Sequence, residues 1–132
     1  MMSTYLENGQ GDEFPRPLTT LEHQVIRAIL IDDCPGVAEL RAQLDSAKVS
    51  AKWQPSGSPS IDLDTSADLP TAQVADGVLP VVAHVYDEAK NYVGELLVWL
   101  SGGRLSSLEF AWVTDEMPIS LPPVSSIRVS RR

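Results

Sequence analysis

Cys34, His23 and His84 are the side chains whose types most readily do chemistry in this 132-residue chain, which holds one cysteine and two histidines. A catalytic thiol needs a base in reach and a stabilised thiolate. Cys34 is expected to follow a helix C-terminus, where the dipole gives a thiolate no help. A lone cysteine of this kind is expected as a small buried apolar residue. His23 and His84 could join Asp62 and Asp64 around a metal, since the two acids share one face of a short strand. The close ligand spacing of metal sites is missing, however. The solvent face of an edge strand accounts for Asp62 and Asp64, and solvation likewise accounts for Asp32 and Asp33. Ser101-Gly102-Gly103 has the glycines of a phosphate loop but lacks the following helix. No catalytic residue, metal ligand or cofactor is therefore assigned. One cysteine also excludes an internal disulfide and a Cys-rich zinc site.

The elements that would position these groups follow from periodicity. The length suits one domain. Apolar residues are 43% and charged residues 21%, a globular mixture. No run of eighteen apolar residues exists to span a membrane. The opening MMSTYLENGQGDEFPRP lacks the basic start and apolar centre of a secretory signal, so a cytoplasmic location is expected. Residues 1–17 carry no apolar period and read as a flexible arm, and residues 18–132 as a single domain. A helix is predicted over about 19–31, with Thr19 and Glu22 as a capping box and Leu21, Val25, Ile26, Ile29 and Leu30 on one face. A second is predicted over about 37–47, with Val37, Leu40 and Leu44 as its stripe. Strands follow at about 49–54, 60–65, 80–86, 92–100 and 105–114. Residues 66–79 read as a loop, and SSIRVSRR at the end as an edge strand or a loose tail. Segregated helices and strands give an α+β fold, with an N-terminal helical hairpin on one face of an antiparallel sheet of about five strands.

Register assigns faces. A three-residue loop at Ser101–Gly103 would pair Leu100 with Arg104 and Leu96 with Leu108. Leu96, Val98, Leu100, Leu108, Phe110 and Trp112 would then fill the core, with Val81, Ala83 and Val85 beside them. The outer face would carry His84, Tyr86, Glu95, Leu97, Trp99, Leu105, Ser107, Glu109 and Ala111. Glu95 and Glu109 would sit directly opposite each other, with His84 adjacent, as an uncompensated acidic pair. Aromatic groups on an exposed sheet face suit protein recognition, and the alternative is that the tail or the N-terminal arm of the same chain covers them. The candidate partner-binding residues are thus His84, Tyr86, Glu95, Leu97, Trp99 and Glu109.

Charge narrows the partner. The net charge is −8, with −9 over residues 1–89 and +1 over residues 90–132. An acidic chain is repelled by nucleic acid and by anionic membranes, and its charge either favours a basic protein partner or simply serves solubility.

The segment 102–122, GGRLSSLEFAWVTDEMPISLP, resembles small uncharacterised bacterial proteins of toxin-immunity type. Gly103, Leu105, Leu108, Glu109, Thr114, Asp115, Glu116, Pro118, Leu121 and Pro122 carry the likeness, over about a sixth of the chain. No catalytic residue comes with it. The resemblance implies an immunity-like or accessory protein that occupies a basic partner. The alternative is a self-associating domain that forms a homodimer through the outer sheet face. An enzyme is the third and least supported reading.

Overall fold

The computed structural model describes residues 13–132. Its helices are α1 (Thr20–Ile29) and α2 (Val37–Ser46). Its strands are β1 (Arg16–Pro17), β2 (Lys48–Lys52), β3 (Ile61–Asp64), β4 (Gly77–Val78), β5 (Val81–Tyr86), β6 (Tyr92–Ser101), β7 (Arg104–Trp112) and β8 (Ile127–Arg131). The expected α+β class with an antiparallel sheet is present. The sheet has eight strands rather than five, in the order β1-β2-β3-β7-β6-β5-β8, with β4 also pairing β6. The three additional strands are β1, β4 and β8. A two-residue strand cannot show a period, so β1 and β4 had no pattern to betray them. β1 lies within the expected arm, of which residues 1–12 fall outside the described residues.

Each helix has a local cause. The Glu22 N–H donates to Thr19 Oγ1 at 3.1 Å, and the Thr19 N–H donates back to Glu22 Oε1 at 2.8 Å. This closes the capping box and satisfies two orphan donors of the first turn. The Glu22 carboxylate also receives both terminal nitrogens of Arg16 at 3.0 Å, which docks β1 against α1. Val25, Ile26, Ile29 and Leu30 are buried, as the period requires. Arg41 on α2 donates to the Leu30 carbonyl at 2.7 Å and to Asp32 at 2.7 Å, so it caps the end of α1 from the second helix.

The core lies between the helices and one sheet face, where Val81, Ala83, Val85, Leu96, Val98, Leu108 and Phe110 are buried. The expected faces of β5 and β6 are therefore present, although the connection between β6 and β7 differs. The turn is two residues, Gly102 and Gly103, with φ of 61° and 75° and Ser101 opposite Arg104. Two successive left-handed residues make the tight turn that matches strand twist. Such a turn inverts the expected parity, and Ser106 restores it. Leu100 pairs with Leu105, but Trp99 pairs with Ser107, leaving Ser106 as a one-residue bulge.

Three expectations fall with the three-residue loop. Leu105 is buried beside Leu100 rather than on the outer face. Leu96 faces Phe110, and Leu108 faces Val98. Glu95 opposes Ala111 while Glu109 opposes Leu97, so the two acids are diagonal neighbours. Trp112 also departs from expectation, since it is only partly buried at the margin of the core.

The tight turn is fixed by a residue 60 positions away. Gln43 on α2 is fully buried, and its Nε2 donates to the Gly103 carbonyl at 3.0 Å. Its Oε1 accepts from the Leu105 N–H at 3.0 Å, and Nε2 reaches the Pro70 carbonyl at 3.0 Å. A Cβ on Gly103 would collide with the carbonyl of Ala72. That close approach, with the positive φ, is why glycine stands there.

Candidate functional site

The helices cover one face of the sheet, and the opposite face carries the six candidate residues. On β5 the alternation buries Val81, Ala83 and Val85, which turns His84 and Tyr86 outward. On β6 it turns Glu95, Leu97 and Trp99 outward, and Glu109 on β7 joins them. His84 pairs directly with Glu95, as the register analysis expects. All six are partly buried, so none stands free of its neighbours.

The acids of this face are held in two ways. Glu95 makes an ion pair with Arg132 at 2.6 Å. It is therefore compensated, contrary to expectation. Glu109 accepts from the Trp99 indole N–H at 3.0 Å. Asp62 accepts from the Trp53 indole N–H and from the Ser107 hydroxyl, each at 2.8 Å. Both of these carboxylates are thus oriented by neutral donors, and no cation within ion-pair distance joins them among the described residues. Each of the two carboxylates thus stands beside an indole ring. β3 is not an edge strand, since β2 and β7 flank it. The Asp62 side chain is consequently built into the face, while Asp64 is exposed.

An aromatic cluster occupies the other half. The Tyr92 ring lies edge-on to His84 at 5.2 Å and to Tyr86 at 5.7 Å. The Arg128 guanidinium stands over the Tyr86 ring at 5.2 Å. Burial raises the Tyr92 phenol above its ordinary value, and the nearby Glu95 carboxylate and Tyr86 add to this. Ser107 belongs to the face as the register predicts, and Asp62, weighed from the sequence only as a metal ligand or edge-strand acid, joins it. Trp53, Tyr92, Arg128 and Arg132 also belong to the face and are not assigned to it by the sequence. For Arg128 a signal existed: Ile127 and Val129 alternate with Arg128 and Ser130, a strand pattern in the tail.

The chemistry considered first does not assemble. Cys34 is buried on the helix side, and burial pushes its thiol up, away from the thiolate a nucleophile needs. His84 lies on the far side of the sheet from it. His23 sits on α1, where its Nε2 is 3.5 Å from Asp45 Oδ1, across the sheet from Asp62. Among the described residues no three His, Cys, Asp or Glu side chains gather as a metal site would require. The Gly102 N–H of the glycine turn donates to Asp76 at 2.8 Å, so a carboxylate of the same chain occupies it. Among the described residues no helix is long and apolar enough to cross a membrane.

Comparison with protein-family models, with curated proteins and with solved structures returned no match.

Proposed function

We propose that this chain is a small protein-binding module whose outer sheet face takes a basic partner, in the manner of an immunity or accessory protein of the cytoplasm. The observation that carries this reading is the pairing of Asp62 with Trp53 and of Glu109 with Trp99. Each pair offers a lysine or arginine of a partner both a carboxylate and an indole. Leu97, beside Glu109, and the Trp99 ring supply apolar contact next to them, and interface cores are rich in such aromatic anchors. The net charge of −8 speeds encounter with a cationic protein and disfavours nucleic acid and anionic lipid. The likeness of residues 102–122 to immunity-type proteins agrees with this reading and assigns no catalytic group.

Affinity for the purified product of the adjacent gene tests the reading, using wild type, Glu109→Gln and Trp99→Ala. The expected result is binding that weakens about tenfold with Glu109→Gln and further with Trp99→Ala. Added salt should weaken the wild-type complex as well. A partner held equally by all three proteins overturns the assignment of this face.

Self-association is a second reading with its own observation. Arg128 and Arg132 line the β8 margin of the face, and Asp62 and Glu109 lie toward β3 and β7. A two-fold axis over the centre would bring the unlike margins of two copies together. Light scattering of the purified chain reads this directly: a mass that doubles with concentration supports it, and a constant monomer mass removes it.

A further inference from the structure

The two edges of the sheet differ. At one edge β1 is two residues long and contains Pro17, which blunts it against further pairing. At the other, β8 is five residues long and pairs only with β5. The Arg132 N–H donates to the Pro80 carbonyl at 3.1 Å. That bond sets the parity of the antiparallel ladder, so Arg128 and Ser130 exchange hydrogen bonds with His84 and Val82. Ile127, Val129 and Arg131 consequently turn their backbone groups away from β5. The Ile127 N–H is taken by the Val124 carbonyl. The N–H groups of Val129 and Arg131 remain on the open side, with the carbonyls of all three residues. Among the described residues no strand lies against them.

We propose that this edge accepts an extended acidic segment of a partner protein as a further strand. The backbone groups give the pairing, as in other strand-addition modes, and the charge of β8 chooses the occupant. Residues 117–132 contain Arg128, Arg131 and Arg132 and no acid, in a chain of net charge −8. Arg131 Nη1 donates to the Asp33 backbone carbonyl at 2.9 Å, which leaves its charge unneutralised. Arg128 rests on the Tyr86 ring, with no carboxylate at ion-pair distance among the described residues. A second copy of β8 would bring six arginines to one seam, and like charges across strands oppose pairing. Carboxylates at alternate positions of an incoming strand all fall on one face of the sheet, where they would meet Arg128, while Arg131 adds its charge from the opposite face. This edge is separate from the outer-face reading above and does not depend on it.

Hydrogen exchange of the 15N-labelled chain, followed by NMR, tests the proposal. The probe is the synthetic peptide Glu-Val-Glu-Thr-Glu-Val with blocked ends, and its Gln-for-Glu analogue is the control. The acidic peptide should slow exchange at the Val129 and Arg131 amides, and the neutral analogue should bind about tenfold more weakly. Val129→Pro removes an outward N–H without touching the β5 ladder. It should abolish protection at Arg131 while the remaining spectrum stays dispersed. Should that variant fail to fold, Arg128→Gln serves in its place and should weaken the acidic peptide selectively. Trp99→Ala should leave peptide binding unchanged, which separates this edge from the outer face. Unchanged exchange at saturating peptide overturns the proposal, as does equal protection by both peptides. So does an oligonucleotide that binds β8 while the acidic peptide fails to protect these amides.

Discussion

Arg132 Nη2 lies 2.6 Å from Glu95 Oε2, and this ion pair ties β8 to β6 across the intervening β5. Half of the Arg132 side chain is exposed, so water and salt screen the pair. Its contribution is roughly 0–1 kcal/mol. Glu95→Gln should therefore destabilise the free protein slightly, where an uncompensated acid pair would have made the same change stabilising. Urea midpoints of Glu95→Gln, Arg132→Ala and the double variant check this, and the coupling should shrink in 1 M salt.

Phe110, not Trp112, is the aromatic anchor of the core. Phe110 is 2% exposed, and Trp112 is at the margin. Phe110→Ala should cost about 3–5 kcal/mol through lost burial and a residual cavity. Trp112→Ala should cost roughly 1–2 kcal/mol, in line with partial burial. Chemical denaturation of the two variants side by side gives the order, and a larger loss for Trp112→Ala contradicts it.

Gln43 is a polar residue whose removal should behave like a core defect. Gln43→Leu keeps the volume but strands the Leu105 N–H and the Pro70 carbonyl, while the Gly103 carbonyl keeps the Ala72 N–H. Buried groups left without partners make this cost on the order of 2–4 kcal/mol. Calorimetry should show a lowered Tm, and the Leu105 amide should exchange faster than its neighbours.

Glu22 sets an acid limit on stability. Burial pushes its carboxyl upward, but Arg16 and the Thr19 groups outweigh burial and hold it below the ordinary value. A carboxyl with a lowered folded pKa stabilises the fold above its unfolded pKa of about 4.3 and loses that effect as pH falls through the folded value. Wild-type stability should therefore fall below about pH 4 more steeply than that of Glu22→Gln. Urea midpoints collected between neutral and acid pH would reveal parallel curves if Glu22 had no such role.

The parts legible in the sequence were those governed by local period. The capping box of Thr19 and Glu22, the apolar stripe of α1, the alternation of β5 and the pairing of His84 with Glu95 all follow from neighbours along the chain. The outer placement of His84, Tyr86, Glu95, Leu97, Trp99 and Glu109 followed too, because a two-residue turn and a one-residue bulge cancel in parity. What escaped was long-range. The choice of turn depends on Gln43 and Ala72 packing against Gly103, and neither residue signals that from its own surroundings. The compensation of Glu95 depends on Arg132, which β8 delivers from the far end of the sheet. The partners of Asp62 likewise come from β7 and from the residue after β2.

The stretch from Thr65 to Ala72 has no repeating backbone ladder of its own. Its carbonyls at Ser66, Ala67 and Leu69 converge on the Arg104 guanidinium at 2.9–3.2 Å, and Ala72 donates to Gly103. Every one of these anchors lies at the start of β7, more than thirty residues later in the chain. Closing such loops costs entropy that local contacts cannot recover first. During folding this stretch must therefore wait until the β6–β7 hairpin has formed and α2 has docked. Its ordering is expected to follow that of the groups it docks on, the Arg104 guanidinium, the Gly103 carbonyl and Gln43 of α2.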